Sequence, residues 1–359
     1  MSATAGEVIG GTQAKACVLA HRDELTEQNR GKFGRVNPAI TTSVVDAGEK
    51  SWAGQVTFAM VPTLARATNL AAMPALDLLV IDEAHHAAAD SYRRIIDRAL
   101  HLNPACRIYG VTATPNRGDG KGLRPVFSNV ADQIRIGELV AAGHLVPPRT
   151  FVIDVGVQED LKNVRRSGDD FDMAEVGAIM NRAPVTEAVV RHWREKAQEA
   201  GSGGAATGNS TNFRQTVVFC STVDHATSVT EAFQAAGIPT VLVTGEMGEA
   251  ERRAALSSYA AGRARVVVNV AVLTEGWDHP PTSCVVLLRP SSFKSTMIQM
   301  LGRGLRTINP EEHPGIVKTD CIVLDFGTSS LLHGSLEQDV DLSGTEGNGE
   351  APTKDWRRQ

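Results

Sequence analysis

Several features that would define a function class are missing from this sequence. No apolar run approaches the roughly 18 residues needed to cross a membrane. The opening stretch, MSATAGEVIGGTQ, lacks the basic flank and apolar core of a signal peptide. The net charge of -5 provides no general attraction for nucleic acid, so any such surface must be local. These absences favour a cytoplasmic protein with no membrane partner.

Clustered metal ligands are missing too. The five cysteines are scattered, and no two of them form a CxxC pair. Four lie in or beside apolar runs that resemble strands, which is typical of reduced cysteines packed in a core. The sequence therefore supports neither a zinc site nor a disulfide framework.

The length and the hydrophobic pattern predict the fold class. A chain of 359 residues suits two domains of roughly 150 residues each. Short apolar runs alternate with longer helical stretches, which indicates an α/β fold with mostly parallel sheets. The predicted strands are 16–20, 40–45, 56–60, 76–81 and 107–111 in the first half, and 216–220, 240–243, 266–270, 284–288 and 321–324 in the second.

Composition shifts place the expected boundaries. The first lobe is expected at 1–150 and the second at 214–327. Between them, 151–213 is interpreted as a charged helical connector followed by a Gly/Ser-rich linker. Residues 328–359 lack hydrophobic periodicity and are interpreted as a poorly ordered tail.

The clearest chemical signal is the run LLVIDEAH at 78–85. An apolar strand delivers two adjacent carboxylates, Asp82 and Glu83, to the carboxyl edge of a parallel sheet, where open α/β folds bind ligands. In a nucleotide motor the first acid holds Mg²⁺ and the second polarises the attacking water. The four letters alone are only suggestive, because a strand-end turn with solvated acids would look the same.

Three further strings are weak signals when taken singly, and their order along the chain makes them informative. GVTATP at 110–115 places hydroxyls after the next strand, although alone it is an ordinary turn. TEGWD at 274–278 and QMLGRGLR at 299–306 follow in the second half. The last string sets two arginines three residues apart on a helix, beside glycines that allow close backbone approach. Such arginines suit the stabilisation of a phosphate in a transition state.

Taken together, six strings resemble the ordered motifs Ia to VI of superfamily-two DEAD/DEAH-box helicases. They are LAHRDEL (19–25), VIDEAH (80–85), VTATP (111–115), VVFCST (217–222), LTEGWD (273–278) and QMLGRGLR (299–306). The sequence looks closest to the branch of XPB-like and restriction-subunit-like helicases, which are often bacterial or phage-encoded. The resemblance implies two RecA-like lobes, ATP and Mg²⁺ as cofactors, and nucleic acid as partner.

The resemblance also implies roles for individual residues. Asp82 would hold the metal and Glu83 would activate water. The other implied catalytic residues are Gln299, near the phosphates, and the arginine fingers Arg303 and Arg306. The other implied positions are Asp278, Gly276 and Gly302 for the nucleotide, His85, Thr112 and Thr114 for coupling, and Arg22, Thr63, Ser221 and Thr274 for the nucleic-acid backbone.

One element of such a motor is not found in these residues. No Lys-Ser or Lys-Thr pair belongs to a GxxxxGK[ST] loop, whose amides and lysine hold the phosphates of ATP. In the family this loop precedes motif Ia, so the sequence is expected to be truncated just after it, with 2–12 as the following helix. The chain alone is then expected to have negligible ATPase activity.

Alternatives stay open at this point. An upstream-encoded polypeptide could supply the loop in a split motor, or the chain could be a non-catalytic nucleic-acid-binding or regulatory remnant. Within the enzyme class, the short stretch between Asp278 and Gln299 favours a translocase over a strand-separating helicase. DNA is favoured over RNA only by the branch that the sequence resembles, because backbone contacts carry no base information.

Overall fold

The structure, a computed structural model, describes residues 13–112, 123–124, 126–167, 170–198 and 213–334. These residues divide into two compact units, the first ending at Gln133 and the second beginning at Ile134. The second unit thus begins before the boundary expected at residue 150. Among the described residues, no helix is both long and apolar enough to cross a membrane.

The first unit is built on a sheet of five parallel strands in the order β2-β3-β1-β4-β5. The strands are β1 (Ala16–Ala20), β2 (Thr42–Val45), β3 (Val56–Met60), β4 (Leu78–Asp82) and β5 (Arg107–Val111). The helices are α1 (Asp23–Val36), α2 (Val61–Leu64), α3 (Ala67–Ala71) and α4 (Asp90–Leu102), with a 3₁₀ turn at Ala84–His86.

Alternation along these strands explains why both sheet faces are covered. Successive side chains of a strand point to opposite faces. Val18 and Val80 therefore pack with Phe33 of α1 on one face. Leu79 on the other face packs with Ile95 of α4. Because both faces are covered, the central strands appear in the sequence as continuous apolar runs.

The second unit contains a six-stranded parallel sheet in the order β10-β11-β9-β12-β13-β6, and a short β7–β8 hairpin. Its strands are β6 (Pro148–Val152), β7 (Arg166–Ser167), β8 (Asp170–Phe171), β9 (Thr216–Phe219), β10 (Thr240–Val243), β11 (Val266–Asn269), β12 (Cys284–Leu287) and β13 (Cys321–Asp325). Its helices are α5 (Ile136–Ala141), α6 (Gln158–Lys162), α7 (Met173–Met180), α8 (Ala183–Lys196), α9 (Val223–Ala235), α10 (Glu249–Ala260), α11 (Lys294–Leu305) and α12 (Ser329–His333). The predicted α/β class with mostly parallel sheets is confirmed.

The stretch expected to be a connector is part of the second unit's core. Val176 and Met180 of α7, and Trp193 of α8, are buried in the same cluster as the strands of the sheet. The Trp193 indole Nε1 donates to Thr216 Oγ1 at the start of β9, at 2.9 Å. Gly177 lies so close to Thr222 that an added Cβ would be 2.8 Å from its side chain. Residues 170–198 therefore pack against the sheet and form part of the core of the second unit.

The beginning of the expected tail is also folded. Asp325, at the end of β13, is fully buried and its Oδ1 accepts hydrogen bonds from the backbone N–H groups of Gly327 and Ser329. These bonds start the turn into α12, whose His333 Nε2 lies 2.6 Å from the carbonyl oxygen of Ser291. The ordered chain thus continues past residue 328, while residues 335–359 of the expected tail lie outside the described residues.

Candidate functional site

Two acidic residues lie at the carboxyl end of β4, as the sequence predicts. The Asp82 Oδ2 accepts a hydrogen bond from Asn29 Nδ2 at 2.7 Å, and its Oδ1 accepts one from the Glu83 backbone N–H at 3.1 Å. Glu83 has a φ of 51°, in the left-handed region that non-glycine residues rarely adopt. Such strain is concentrated at functional positions, because the surrounding structure must impose it.

Asn29 was not identified from the sequence, although a signal for it exists. It lies on α1 between Leu25 and Phe33 at intervals of four residues, and all three are buried. A polar residue in the middle of such an apolar stripe needs a buried partner. That partner is the carboxylate of Asp82, which the bond holds in one orientation.

His85 connects the second carboxylate to the neighbouring strand. Its Nδ1 lies 3.4 Å from Glu83 Oε2 and 3.0 Å from Thr112 Oγ1, the first residue after β5. The side chains of His85 and Glu83 are only 14% and 15% exposed, so these contacts are shielded from bulk water. The structure thus brings His85, Glu83 and Thr112 together. Thr114, the other expected coupling residue, lies outside the described residues.

Gly110 allows β5 to approach this group closely. An added Cβ would lie 2.7 Å from the Cβ of Ala84, in the turn that follows Glu83, and would overlap the ring of Phe127. Only a residue without a side chain fits between the two. The glycine therefore sets the spacing between the carboxylate turn and the end of β5.

The expected nucleic-acid contacts of the first unit differ in exposure. Arg22 follows β1 and is half-buried, with its Nε 3.2 Å from His21 Nε2. Thr63, in α2, is only 2% exposed and packs into the interior. The structure does not bring Thr63 to the surface, because Val61, Thr63 and Leu64 of α2 are all buried.

In the second unit, the expected contacts follow the ends of β9 and β11. Ser221 is 6% exposed, and its hydroxyl has no hydrogen-bond partner among the described residues. Thr274 is 8% exposed, in the loop after β11. Both hydroxyls lie near the carboxyl edge of the sheet, where open parallel sheets bind ligands.

Arg303 in α11 and Arg306 directly after this helix both bind the loop that precedes β12. Arg303 is 9% exposed, and its Nη1 donates to the carbonyl oxygen of Trp277 at 2.6 Å. Its Nε donates to the carbonyl oxygen of Gln299, one helical turn earlier, at 3.3 Å. Arg306 forms an ion pair with Asp278, and burial lowers the pKa of its guanidinium. The guanidinium of Arg303 thus fixes the loop, and Arg306 neutralises Asp278, the expected nucleotide contact.

The glycines in and before α11 have different surroundings. A Cβ on Gly304 would lie 2.5 Å from both Cys321 Sγ and Val285 Cγ2, so this glycine lets the helix pack against the sheet. A Cβ on Gly302 would meet nothing within 4 Å, which leaves open space beside the helix. Gly276 has a φ of 76°, as the tight loop before Trp277 requires.

Comparison with known proteins agrees with these features. Residues 3–117 match the family described as "Type III restriction enzyme, res subunit", and residues 205–307 match the "Helicase conserved C-terminal domain". The first match lies in the first half of the chain and the second match in the second half.

Two fungal proteins are similar along most of the chain. The protein named as the mitochondrial ATP-dependent helicase irc3 of Schizosaccharomyces pombe is 32% identical over 332 residues, which cover 91% of this chain and 51% of that protein. The protein named as the ATP-dependent helicase IRC3 of Saccharomyces cerevisiae is 29% identical over 323 residues, covering 88% and 44%. The chain therefore spans about half the length of these curated relatives.

Solved structures share the fold. A fragment named as the HsdR subunit of a type I restriction enzyme from Vibrio vulnificus is similar with a TM-score of 0.61 and 21% identity, over 90% of this chain and 55% of that one. Dbp5 of S. cerevisiae bound to RNA and ADP BeF3 gives a TM-score of 0.58 and 16% identity, over 93% and 79%. With two parallel sheets, ordered motifs and both family matches in agreement, the chain belongs to the superfamily-two helicases, a family of ATP-hydrolysing enzymes, in its restriction-subunit-like branch.

Proposed function

We propose that this chain is the core of a DEAH-type motor that couples ATP hydrolysis to movement along the phosphate backbone of nucleic acid, with DNA as the preferred substrate. The arrangement of Glu83, His85 and Thr112 is the observation that carries the proposal. It joins the water-activating acid to the strand-end hydroxyl by contacts of 3.4 and 3.0 Å. A change at the carboxylate can therefore be transmitted to the segment after β5.

The acidic residues of the first unit fit a magnesium ion. Asp82 is a hard oxygen ligand, and its bond from Asn29 orients the carboxylate. When bound, Mg²⁺ would neutralise charge on the phosphates of ATP. Asp82 would hold the ion, and the strained backbone of Glu83 would direct the second carboxylate as the water-polarising base.

In the second unit, Arg306 and Asp278 are the proposed nucleotide contacts, with Gln299, Gly276 and Gly302 beside them. Arg306 would pair with phosphate, and Asp278 would accept a hydrogen bond from a ribose hydroxyl. Their mutual ion pair would have to open for both contacts to form. Arg303 Nη1 already donates to the carbonyl oxygen of Trp277, so we assign this arginine first to holding the loop.

The loop that would bind the phosphates of ATP is not found in this sequence. The 359 residues supply acids and arginines, and their sequence contains no GxxxxGK[ST]. The amide cradle and the lysine contribute much of the binding energy for the triphosphate. We therefore expect negligible ATPase activity from this chain alone, with the loop supplied by another polypeptide segment in an active motor.

The missing loop also favours a second candidate, a non-catalytic nucleic-acid-binding module. Fluorescence anisotropy with single-stranded and duplex DNA and RNA, together with phosphate-release assays, tests both. Either candidate requires sequence-independent affinity that falls as salt rises. A folded chain without affinity at low salt would refute both proposals. Turnover that disappears in the Glu83→Gln variant would show that the chain hydrolyses ATP without the loop.

DNA preference and mode of action are tested in the same experiments. A translocase on duplex DNA should bind duplex at least as tightly as single strands, because it grips the backbone of intact DNA. Tighter binding to RNA than to DNA of the same length would reverse our assignment of the substrate.

A further inference from the structure

Asn269 is a fully buried polar residue at the end of an apolar strand. It is the last residue of β11, after three buried valines, and its side chain is 0% exposed. A side-chain amide in such a place is costly unless its donor and acceptor groups are satisfied. Its contacts therefore show what the residue does.

Both ends of the amide are bonded, and they join two different parts of the chain. Nδ2 donates to the carbonyl oxygen of Val218 in the neighbouring strand β9, at 2.9 Å. Oδ1 accepts from the backbone N–H of Leu273, in the loop that follows β11, at 3.1 Å. The side chain is thus a fixed link between the sheet and the loop.

The loop needs such a link because its backbone is irregular. Ala271 has a φ of 57° and Gly276 a φ of 76°, so the chain turns through the left-handed region twice. Its far end is held by Arg303, which donates to the carbonyl oxygen of Trp277 at 2.6 Å. Asn269 at the start and Arg303 at the end therefore fix the segment that carries Thr274.

We infer that Asn269 is a positioning residue, which holds Thr274 where its hydroxyl can bind a phosphate of nucleic acid. This inference rests on the proposed function, because it takes Thr274 as a backbone contact. Asn269 is fully buried, so its side chain would not contact nucleic acid itself. It acts through Leu273, whose backbone N–H it holds directly before Thr274.

The test is a double-mutant cycle of Asn269→Leu and Thr274→Ala, read by DNA affinity at low salt. Each single change should weaken binding by about tenfold, the value of one hydrogen bond to a charged group. The double variant should bind no more weakly than either single variant, because both remove the same contact. The inference would be overturned if the double variant lost the product of the two single losses in affinity. It would also be overturned if the Asn269→Leu variant bound DNA with wild-type affinity.

Two further variants separate positioning from general destabilisation. Thr216→Val removes the acceptor of the buried Trp193 indole N–H, at 2.9 Å, so it should lower stability without changing DNA affinity. Asn269→Asp keeps an acceptor for Leu273 and serves if the leucine variant does not fold. Hydrogen exchange of 270–278, measured by mass spectrometry, should accelerate in Asn269→Leu and less in Asn269→Asp.

The results also separate the inference from the proposed function. If the wild-type chain binds neither DNA nor RNA, the proposed function fails and the inference fails with it. If the wild type binds and the Thr274→Ala variant binds equally well, Thr274 is not a contact and the inference alone is overturned. Faster exchange of 270–278 accompanied by the tenfold loss supports it.

Discussion

A buried histidine should make the second unit sensitive to mild acid. His225 lies in the first turn of α9 and is 1% exposed. Neither of its ring nitrogens has a hydrogen-bond partner among the described residues. Burial disfavours the charged imidazolium and lowers the pKa of His225 from 6.5 to about 4. Folding therefore requires this ring to be neutral.

The sign and size of the effect follow from this shift. Between pH 6.5 and pH 4, His225 is mostly protonated in the unfolded chain and mostly neutral in the folded chain. Stability is thus fully present above pH 6.5 and is lost as the pH falls toward 4. Between pH 7 and pH 5 the free energy of unfolding should fall by about 2 kcal/mol from this residue.

The perturbation is His225→Leu, which replaces the titrating ring with an apolar side chain of similar size. His279, whose pKa burial also lowers to about 4, is present in both proteins. The difference between wild type and variant therefore isolates His225. We expect the variant to lose about 2 kcal/mol less stability than the wild type between pH 7 and pH 5.

The assay is urea unfolding at both pH values, followed by tryptophan fluorescence. Trp193 is fully buried between Phe213 and Phe233, so it reports on the second unit. His144→Leu, at an exposed position of the same unit, controls for the loss of a histidine. An equal fall in wild type and His225→Leu would refute the reasoning.

Two substitutions test the packing of the second unit. Gly304→Ala should destabilise the second unit by about 1–3 kcal/mol in urea, because its Cβ would overlap the sheet. Gly302→Ala, with nothing within 4 Å, is the matched control, and equal stability of the two variants would contradict the packing. Thr216→Val should cost about 1–3 kcal/mol, because the buried indole N–H of Trp193 loses its acceptor. A neutral Thr216→Val would show that α8 is not fixed to the sheet through this bond.

Strands that are apolar along their whole length were predictable from sequence. β1, β4, β9 and β12 are buried on both faces, so each stands out as a continuous apolar run. β6 was not predicted, because its five residues, PRTFV, are half-buried or exposed. It becomes a strand by pairing with β13, whose sequence lies about 170 residues further on.

The candidate site shows the same division. The sequence placed Glu83 at the carboxyl edge of a parallel sheet and Thr112 directly after the next strand, and parallel strands end at the same edge. The contact through His85 needed the actual geometry. Thr63 shows the reverse case, because a residue expected to contact the nucleic-acid backbone is buried in the core.

The sequence by itself determined the fold class, the family and the positions of the acidic pair, because hydrophobic periodicity and motif order are local properties of the chain. Tertiary structure alone decided which buried polar groups became partners. Asn29 bonds to Asp82 across 53 residues, and Asn269 bonds to Val218 across 51. The partner of a side-chain amide cannot be predicted from the sequence, because it depends on how strands and helices pack in space.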